Sequence, residues 1–539
     1  MLGAVLAVAL LAGCTAGAPD VAVRAGTGTT SPVVPVLGDA AVTSVATTPA
    51  AAAGTATAAS AAAATGGRPA AAAPVTPGAP RPSTTALLAG MRLVNYQRPD
   101  AGWPALWTDW RPDVLDRDLA RIAALGGNTV RVSVIPDTIG WPAPRPVMAA
   151  RLAQYVDLAA KHGIKVQLTL FDWFGRLDAT AQAASWARAV TAPYKGDSRV
   201  AFVELLNEVD PGDARTMTFL RSLLPVVRKA LPGVPVTVSV SSTAGPDALR
   251  RLVSGLPGLL DVADIHFYGE GAQAYAWLGR AKAAAGGLPL VVGEAGHSLR
   301  YPVDTARDVA HHEALQAAWF DATLRAARDR GVPVGVWMLY DLTPSGIPGR
   351  AESANPQEYR FGLRRLDGTQ RPAAAVVRSW WTGRPPTGLT DTFSVKGSDG
   401  LPVGWRLDRP DAARYARDAT VGSAAAGSAR ISAASGDPLA VPNLFRAVPM
   451  DVRAGRSVRM TAQVRLSGGG AATVALGWLD ASGRYLGGVQ SRRAPSGGSG
   501  ATLTVTGAAP AGARSVVAYL KASGVAGSAW FDDVRVAAA

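Results

Sequence analysis

VAFVELLNEVD, residues 200–210, begins as an apolar run and closes on Asn207-Glu208, with a second carboxylate, Glu204, already inside it. Burying carboxylates costs several kcal/mol unless they are paired or neutralised. A strand that ends at the mouth of a barrel resolves the conflict for Glu208, which emerges there. Glu204 lies four residues earlier, on the same face of a regular strand. It sits deeper and requires a partner, for which Arg131 is the candidate.

Working outward, seven more apolar runs alternate with amphipathic helical stretches. They are MRLVNY (91–96), NTVRVSV (128–134), KVQLTLF (165–171), PVTVSVS (235–241), VADIHFY (262–268), PLVVGEA (289–295) and PVGVWML (333–339). Eight strands with helical connections over 86–384 predict an α/β fold, a (β/α)8 TIM barrel. A doubly wound sheet is the alternative, but no Gly-rich phosphate turn follows the first strand. From 388 to 539 the character changes. SVRMTAQVRL, TVALGWL, SVVAYLK and AWFDDVRV are short alternating strands between Gly, Ser and Pro turns. They predict an all-β sandwich of jelly-roll type.

Residues 2–13, LGAVLAVALLAG, are too few to span a bilayer and have the length of a signal-peptide core. They run into Cys14, the sole cysteine of the 539 residues, which has no disulfide partner within the chain. Leu11-Ala12-Gly13-Cys14 resembles a bacterial lipobox, which implies cleavage before Cys14 and lipidation of its thiol. An ordinary signal peptide with an incidental cysteine is the other reading. The expectation is a signal peptide over 1–14 and an extracellular or envelope location, anchored by lipid to the outer face of the cell membrane. Residues 15–85, rich in Ala, Thr, Pro and Gly, bury too little apolar area to offset their ordering entropy and read as a disordered tether.

The formal charge is +14, from 54 Lys and Arg against 40 Asp and Glu. The basic residues are scattered singly, so no concentrated nucleic-acid footprint exists. No metal-ligand spacing, P-loop or serine-nucleophile elbow appears, and no cofactor is expected. A monomer is expected.

Active residues of such barrels gather at the C-terminal ends of the strands. Strand two carries Arg131, and strand three ends near Asp172. Strand four ends on Asn207-Glu208, and strand six carries His266 and Tyr268. Strand seven carries Glu294 and strand eight Trp337, with His297 just beyond Glu294. Two carboxylates converging on one cavity suggest glycoside hydrolysis, in which one acid protonates the leaving oxygen and the other attacks or activates water. Their spacing of 86 residues suits strands four and seven. GWPALWTDW adds Trp103, Trp107 and Trp110 in the first loop; Trp141 and Trp173 follow the second and third strands. Loop tryptophans stack on sugar faces. Two of the five, taken as Trp107 and Trp173, are expected as subsites of a polysaccharide or oligosaccharide.

The ordered set Arg131, Asn207-Glu208, His266-x-Tyr268, Glu294 and Trp337 resembles the barrel glycoside hydrolases, above all glycoside hydrolase family 5 with its cellulases and mannanases. FGLRRLDGTQRPAAAVV (361–377) is similar to that family's closing segment. The resemblance implies a retaining β-glycosidase working by double displacement on a β-glucan, β-mannan or envelope exopolysaccharide. Glu208 would be the acid/base and Glu294 the nucleophile. Asn207 would bind the sugar 2-hydroxyl, Tyr268 and Arg131 would hold Glu294 ionised, and His266 would contact the sugar or Glu208. Trp337 would form the floor. Phe171-Asp172-Trp173-Phe174 stands where the family usually ends strand three in His, and the Pro that usually follows Asn-Glu is displaced to Pro211. These departures leave the sugar open, and Asp172 either binds a hydroxyl or caps the next turn. The sandwich, through GLPVGW and AWFDDVRV, resembles carbohydrate-binding modules. Its Trp405, Trp478, Tyr485 and Trp530 read equally as sugar platform or core. A non-catalytic glycan-binding lipoprotein and a transglycosylase remodelling exopolysaccharide are the competing functions.

Overall fold

The computed structural model describes residues 74–78, 80–300, 306–422, 427–436, 441–497 and 500–539. The signal peptide, Cys14 and most of the expected tether lie outside the described residues.

The first domain is a closed parallel barrel. Its strands are Leu93–Asn95, Thr129–Ser133, Lys165–Thr169, Val200–Glu204, a fifth in two pieces (Val236–Thr237 and Ser239–Val240), Ala263–Ile265, Leu290–Ala295 and Val334–Val336. The two halves of the fifth strand occupy opposite ends of the hydrogen-bonded order, so the sheet closes through the break at Val238. Each strand is followed by an outer helix, from Pro112–Ala124 after the first to Pro372–Trp381 after the eighth. Proline opens several of these helices, where its missing N–H is no loss. Asp213 caps Ala214–Ala230 by accepting from the N–H groups of Arg215 and Thr216. On Pro112–Ala124 the apolar stripe Val114, Leu115, Leu119 and Ile122 is buried against the barrel wall.

One expectation is corrected at the N-terminus. Residues 74–78 and 80–85 were read as tether, yet they pack under the barrel. Arg81 donates to the carbonyls of Val200, Ala201 and Asp197, and Ser198 Oγ donates to Thr76 O. The helix Thr84–Ala89, capped by Ser83, then plugs the floor with Leu87 and Leu88 against Leu93, Phe202, Val262 and Val291. One cation saturating three strand-end carbonyls anchors a segment whose composition carries almost no apolar signal.

The second domain is a sandwich of antiparallel sheets. Its long central strands, Ser457–Ser467 and Ser528–Ala538 in one sheet and Ala471–Leu479 and Ser515–Ser523 in the other, pair side by side. Trp405 and Trp478 are buried in its core with Phe531, so neither is a sugar platform. Tyr485 is exposed, and Trp530 is half-buried, donating its indole N–H to Asp418. Arg307 fastens the sandwich to the barrel: it pairs with Asp399 and donates to the carbonyls of Pro402 and Trp405 at 3.0 Å. Arg307→Ala should lower unfolding stability by about 3 kcal/mol, because a nearly buried charge pair loses its cation. Limited proteolysis should then cut first in the 383–387 connection; unchanged cleavage would show that this fastening is dispensable.

Candidate active site

The barrel interior is polar at its upper end, and one guanidinium organises it. Arg131, on the second strand, is buried. Its Nε donates to Glu204 Oε2 at 2.7 Å and its Nη1 to Glu294 Oε1 at 2.5 Å and Asn95 Oδ1 at 3.0 Å. Its Nη2 donates to Asn207 Oδ1 at 2.6 Å. Burial opposes the charge, but Glu204 and Glu294 outweigh it and hold Arg131 firmly protonated. Arg131 is thus the partner that Glu204 required. Glu204 also accepts from Thr169 Oγ1 at 2.7 Å and is fully buried, so it supports the site and does not face the cleft. Asp264, on the sixth strand, lies below: burial, then the charge of Glu204, pushes its carboxyl far above the usual range. It accepts from Gly293 N at 2.9 Å, and a Cβ at Gly293 would lie 2.7 Å from Asp264 Oδ1, which explains the glycine beside Glu294.

Glu208 and Glu294 face one another across this centre. Glu208 has φ 46°, a left-handed conformation that turns its side chain out of the strand line, while its N–H donates to Ser239 Oγ at 2.8 Å. Its side chain is 25% exposed against 7% for Glu294. His266 Nδ1 bridges the pair, 2.7 Å from Glu208 Oε1 and 3.3 Å from Glu294 Oε2. Burial disfavours the imidazolium, but Glu294 and the hydrogen bond to Glu208 raise His266 to about 9. Tyr268 donates its hydroxyl to Glu294 Oε2 at 2.7 Å. One donor atom each from Glu208, His266 and Glu294 lie within 4.8 Å of one another. The three are joined by hydrogen bonds and opposite charges, with His266 between the two carboxyls.

Asp172 accepts from Ser133 Oγ at 2.8 Å and is buried close enough to Arg131 for their charges to interact. Burial raises it to about 6, with Arg131 and Ser133 opposing. Trp337 meets Trp103 at 6.0 Å, and Trp103 stacks on Trp173 at 5.5 Å, forming an aromatic wall. Two expected residues are elsewhere. Trp107 is fully buried, stacked on Trp110 with its indole N–H donating to Ser133 O, so Trp103 holds the place expected of it. His297 stacks on Trp319 and lines a cleft between barrel and sandwich. It stands three residues past Glu294, and alternation along an extended chain turns it to the opposite side. Burial, then Arg406 and His312, pushes it down to about 3.

Sequence reasoning missed Ser239, Asn95 and Glu358. The first two lie on strands five and one and follow from the same strand-end reading. Glu358 lies in a loop without periodicity, and no local signal marks it.

No protein-family model matches the chain, and no curated protein matches it. Among solved structures, it is similar to the exo-β-1,4-mannosidase Op5Man5 from Opitutaceae bacterium strain TAV5. The identity is 20% and the TM-score 0.44, over 55% of this chain and 60% of that one. A GH5_18 enzyme from Streptomyces cattleya, solved with GlcNAc, is 22% identical at TM-score 0.45, over 55% and 81%. A GH2 β-galacturonidase from Eisenbergiella tayi, bound to galacturonate, is 16% identical at TM-score 0.42, over 55% and 51%.

Two predictions follow from the charges. Arg131→Met leaves Glu204 and Glu294 buried without their cation and should lower stability by about 3–5 kcal/mol in urea unfolding. The second concerns pH. Asp172 and Glu358, whose carboxyls are raised to about 6 and about 8, and His266, raised to about 9, hold protons in the fold that the unfolded chain releases earlier. Where the folded state binds more protons, stability falls as pH rises. The His266 contribution is complete below its ordinary value of 6.5 and is lost as pH passes about 9. The Asp172 and Glu358 contributions decline from their ordinary values of 3.8 and 4.5 up to about 6 and about 8. Calorimetry should therefore show a melting midpoint that declines between about pH 6.5 and pH 9, above the range in which His297, lowered to about 3, opposes the trend; a rising midpoint there would refute these protonation states.

Proposed function

We propose that the protein is a retaining β-glycosidase that cleaves O-glycosidic bonds in a polysaccharide, with Glu294 as nucleophile and Glu208 as acid/base. The observation that carries this reading is the closeness of the two carboxyls, which have oxygens within 4.8 Å of each other. Retaining enzymes hold the pair about 5–5.5 Å apart, whereas inverting ones need about 6.5–9.5 Å to admit a water.

The division of roles follows from the partners. Arg131 and Tyr268 both donate hydrogen bonds to the Glu294 carboxyl and aim it, as a nucleophile needs. Glu208 is the more exposed and has His266 at its side, which suits a group that must meet leaving group and water in turn. In the first step Glu294 attacks the anomeric carbon, the glycosidic C–O bond breaks, and the proton shared by His266 and Glu208 passes through Glu208 to the leaving oxygen. In the second, Glu208 takes a proton from water as the water oxygen attacks the anomeric carbon and Glu294 departs. Asn207, its carbonyl held by Arg131, is left with its amide N–H groups for the sugar 2-hydroxyl. Trp103, Trp173 and Trp337 supply the stacking surface. Export and lipidation at Cys14 complete the proposal and place the enzyme on the outer face of the membrane, against β-glucan, β-mannan or envelope exopolysaccharide.

Glu294→Ala should cut turnover of aryl β-glycosides and matching polymers by at least about 10³-fold, the order seen on removing a catalytic group. Azide should restore cleavage and yield a glycosyl azide of inverted configuration. Undiminished turnover in this variant would overturn the assignment.

A further inference from the structure

The loop that returns from the eighth strand brings a third carboxylate to the cleft. Glu358 opens the 3₁₀ turn Glu358–Arg360, which is tied down on both flanks. Ser298 Oγ donates to Gln357 O at 2.7 Å, Leu299 N to Arg360 O at 3.0 Å, and Leu342 N to Tyr359 O at 3.2 Å. The next side chains, Tyr359 and Phe361, are buried in the aromatic cluster of Trp103 and Trp337, and Phe361 meets the Tyr268 ring at 5.4 Å. The Glu358 carboxyl is thereby held beside Trp337, within charge range of Glu294 and Glu208. The Trp337 indole N–H is buried and lies by this carboxyl without closing a hydrogen bond of full geometry. Glu294 has Arg131 and Tyr268, Glu208 has His266, and Asp172 has Ser133. Among the described residues a cation acting on Glu358 is Arg350, and that guanidinium lies over Trp173 at 5.6 Å. A carboxyl held by this turn beside Trp337 and within charge range of Glu208 and Glu294, with no side-chain hydrogen bond of full geometry among the described residues, is placed to take a ligand.

We propose that Glu358 is a substrate-recognition residue, its carboxyl hydrogen-bonding a hydroxyl of the sugar ring that lies on Trp337 between Glu208 and Glu294. This rests on the glycosidase reading above. Burial, then the charges of Glu294 and Glu208, raises Glu358 to about 8, with Trp337 and Arg350 opposing. At neutral pH it is therefore an acid with one O–H donor and a free acceptor, which matches a sugar hydroxyl and adds no third negative charge beside the nucleophile. Of the other groups around it, Tyr268 and Tyr359 are raised above their ordinary 10.0 and Arg360 is paired with Glu352, while His266, raised to about 9 between Glu208 and Glu294, titrates in wild type and Glu358→Gln alike, so the difference between their profiles reports Glu358.

The test is steady-state kinetics of wild type, Glu358→Ala and Glu358→Gln from about pH 5 to 9.5, on the best substrate from a panel of mannan, β-glucan, xylan and envelope oligosaccharides. Glu358→Ala should raise KM about tenfold at pH 6 with a smaller fall in kcat, one hydrogen bond's worth of binding. Wild-type KM should climb as pH passes about 8, and Glu358→Gln, which imitates the acid form, should lose that climb. An unchanged KM in Glu358→Ala, or identical KM–pH profiles for wild type and Glu358→Gln, overturns the proposal. If wild type hydrolyses none of the panel, the glycosidase reading has failed and the same sugars are titrated by tryptophan fluorescence. There, equal affinity of wild type and Glu358→Ala, or binding by neither, overturns the recognition role.

Discussion

Arg131 sits where the barrel wall, the buried acids and the candidate nucleophile meet, and its five N–H groups decide how each is used. A guanidinium in a low-dielectric interior is tolerable only when its donors are saturated and its charge is answered. Glu204 answers it from below and Glu294 from above, while Asn95 and Asn207 take further donors. The fork is planar, so fixing it on Glu204 also fixes the direction in which Glu294 is held. The orientation of Glu294 is in this sense a property of the barrel core. A lysine could carry the charge but not this geometry.

The acids around this centre show how environment separates chemically identical groups. Glu204 lies against Arg131, which holds it below the usual carboxylate range although it is fully buried, whereas burial and then the Glu204 charge push Asp264 up to about 7. Glu358, raised by burial and then by the charges of Glu294 and Glu208 against the opposing Arg350, is likewise pushed up to about 8. His266 is charged for the converse reason, since it stands between Glu208 and Glu294. The cleft therefore alternates positive and negative groups at its centre and places a neutral acid at its edge.

The strand-end reading placed Arg131, Asn207, Glu208, His266, Tyr268, Glu294 and Trp337 around one cavity, and the structure brings those side chains together. They were legible because a barrel strand has one open end, and an expensive polar group at that end has few other reasons to be there. Trp107 and His297 were chosen by proximity in the chain, which does not fix direction. Trp107 turns inward to Tyr155 and Trp110, and His297 turns to Trp319. Residues 74–78 and 80–85 were hidden by composition, since backbone carbonyls accepting from Arg81 leave no trace in a hydropathy pattern.

Periodicity, together with the cost of burying charge, was enough to determine from the sequence a (β/α)8 barrel, a β-sandwich and the principal acids of the cleft. These depend on local spacing and on which residues can tolerate an interior. Tertiary structure alone decided that Arg131 joins Glu204 to Glu294, that Trp103 and not Trp107 walls the cleft, and that Glu358 enters it from a loop 150 residues beyond Glu208. Those outcomes depend on side-chain direction and on contacts between distant segments, which spacing along a chain does not encode.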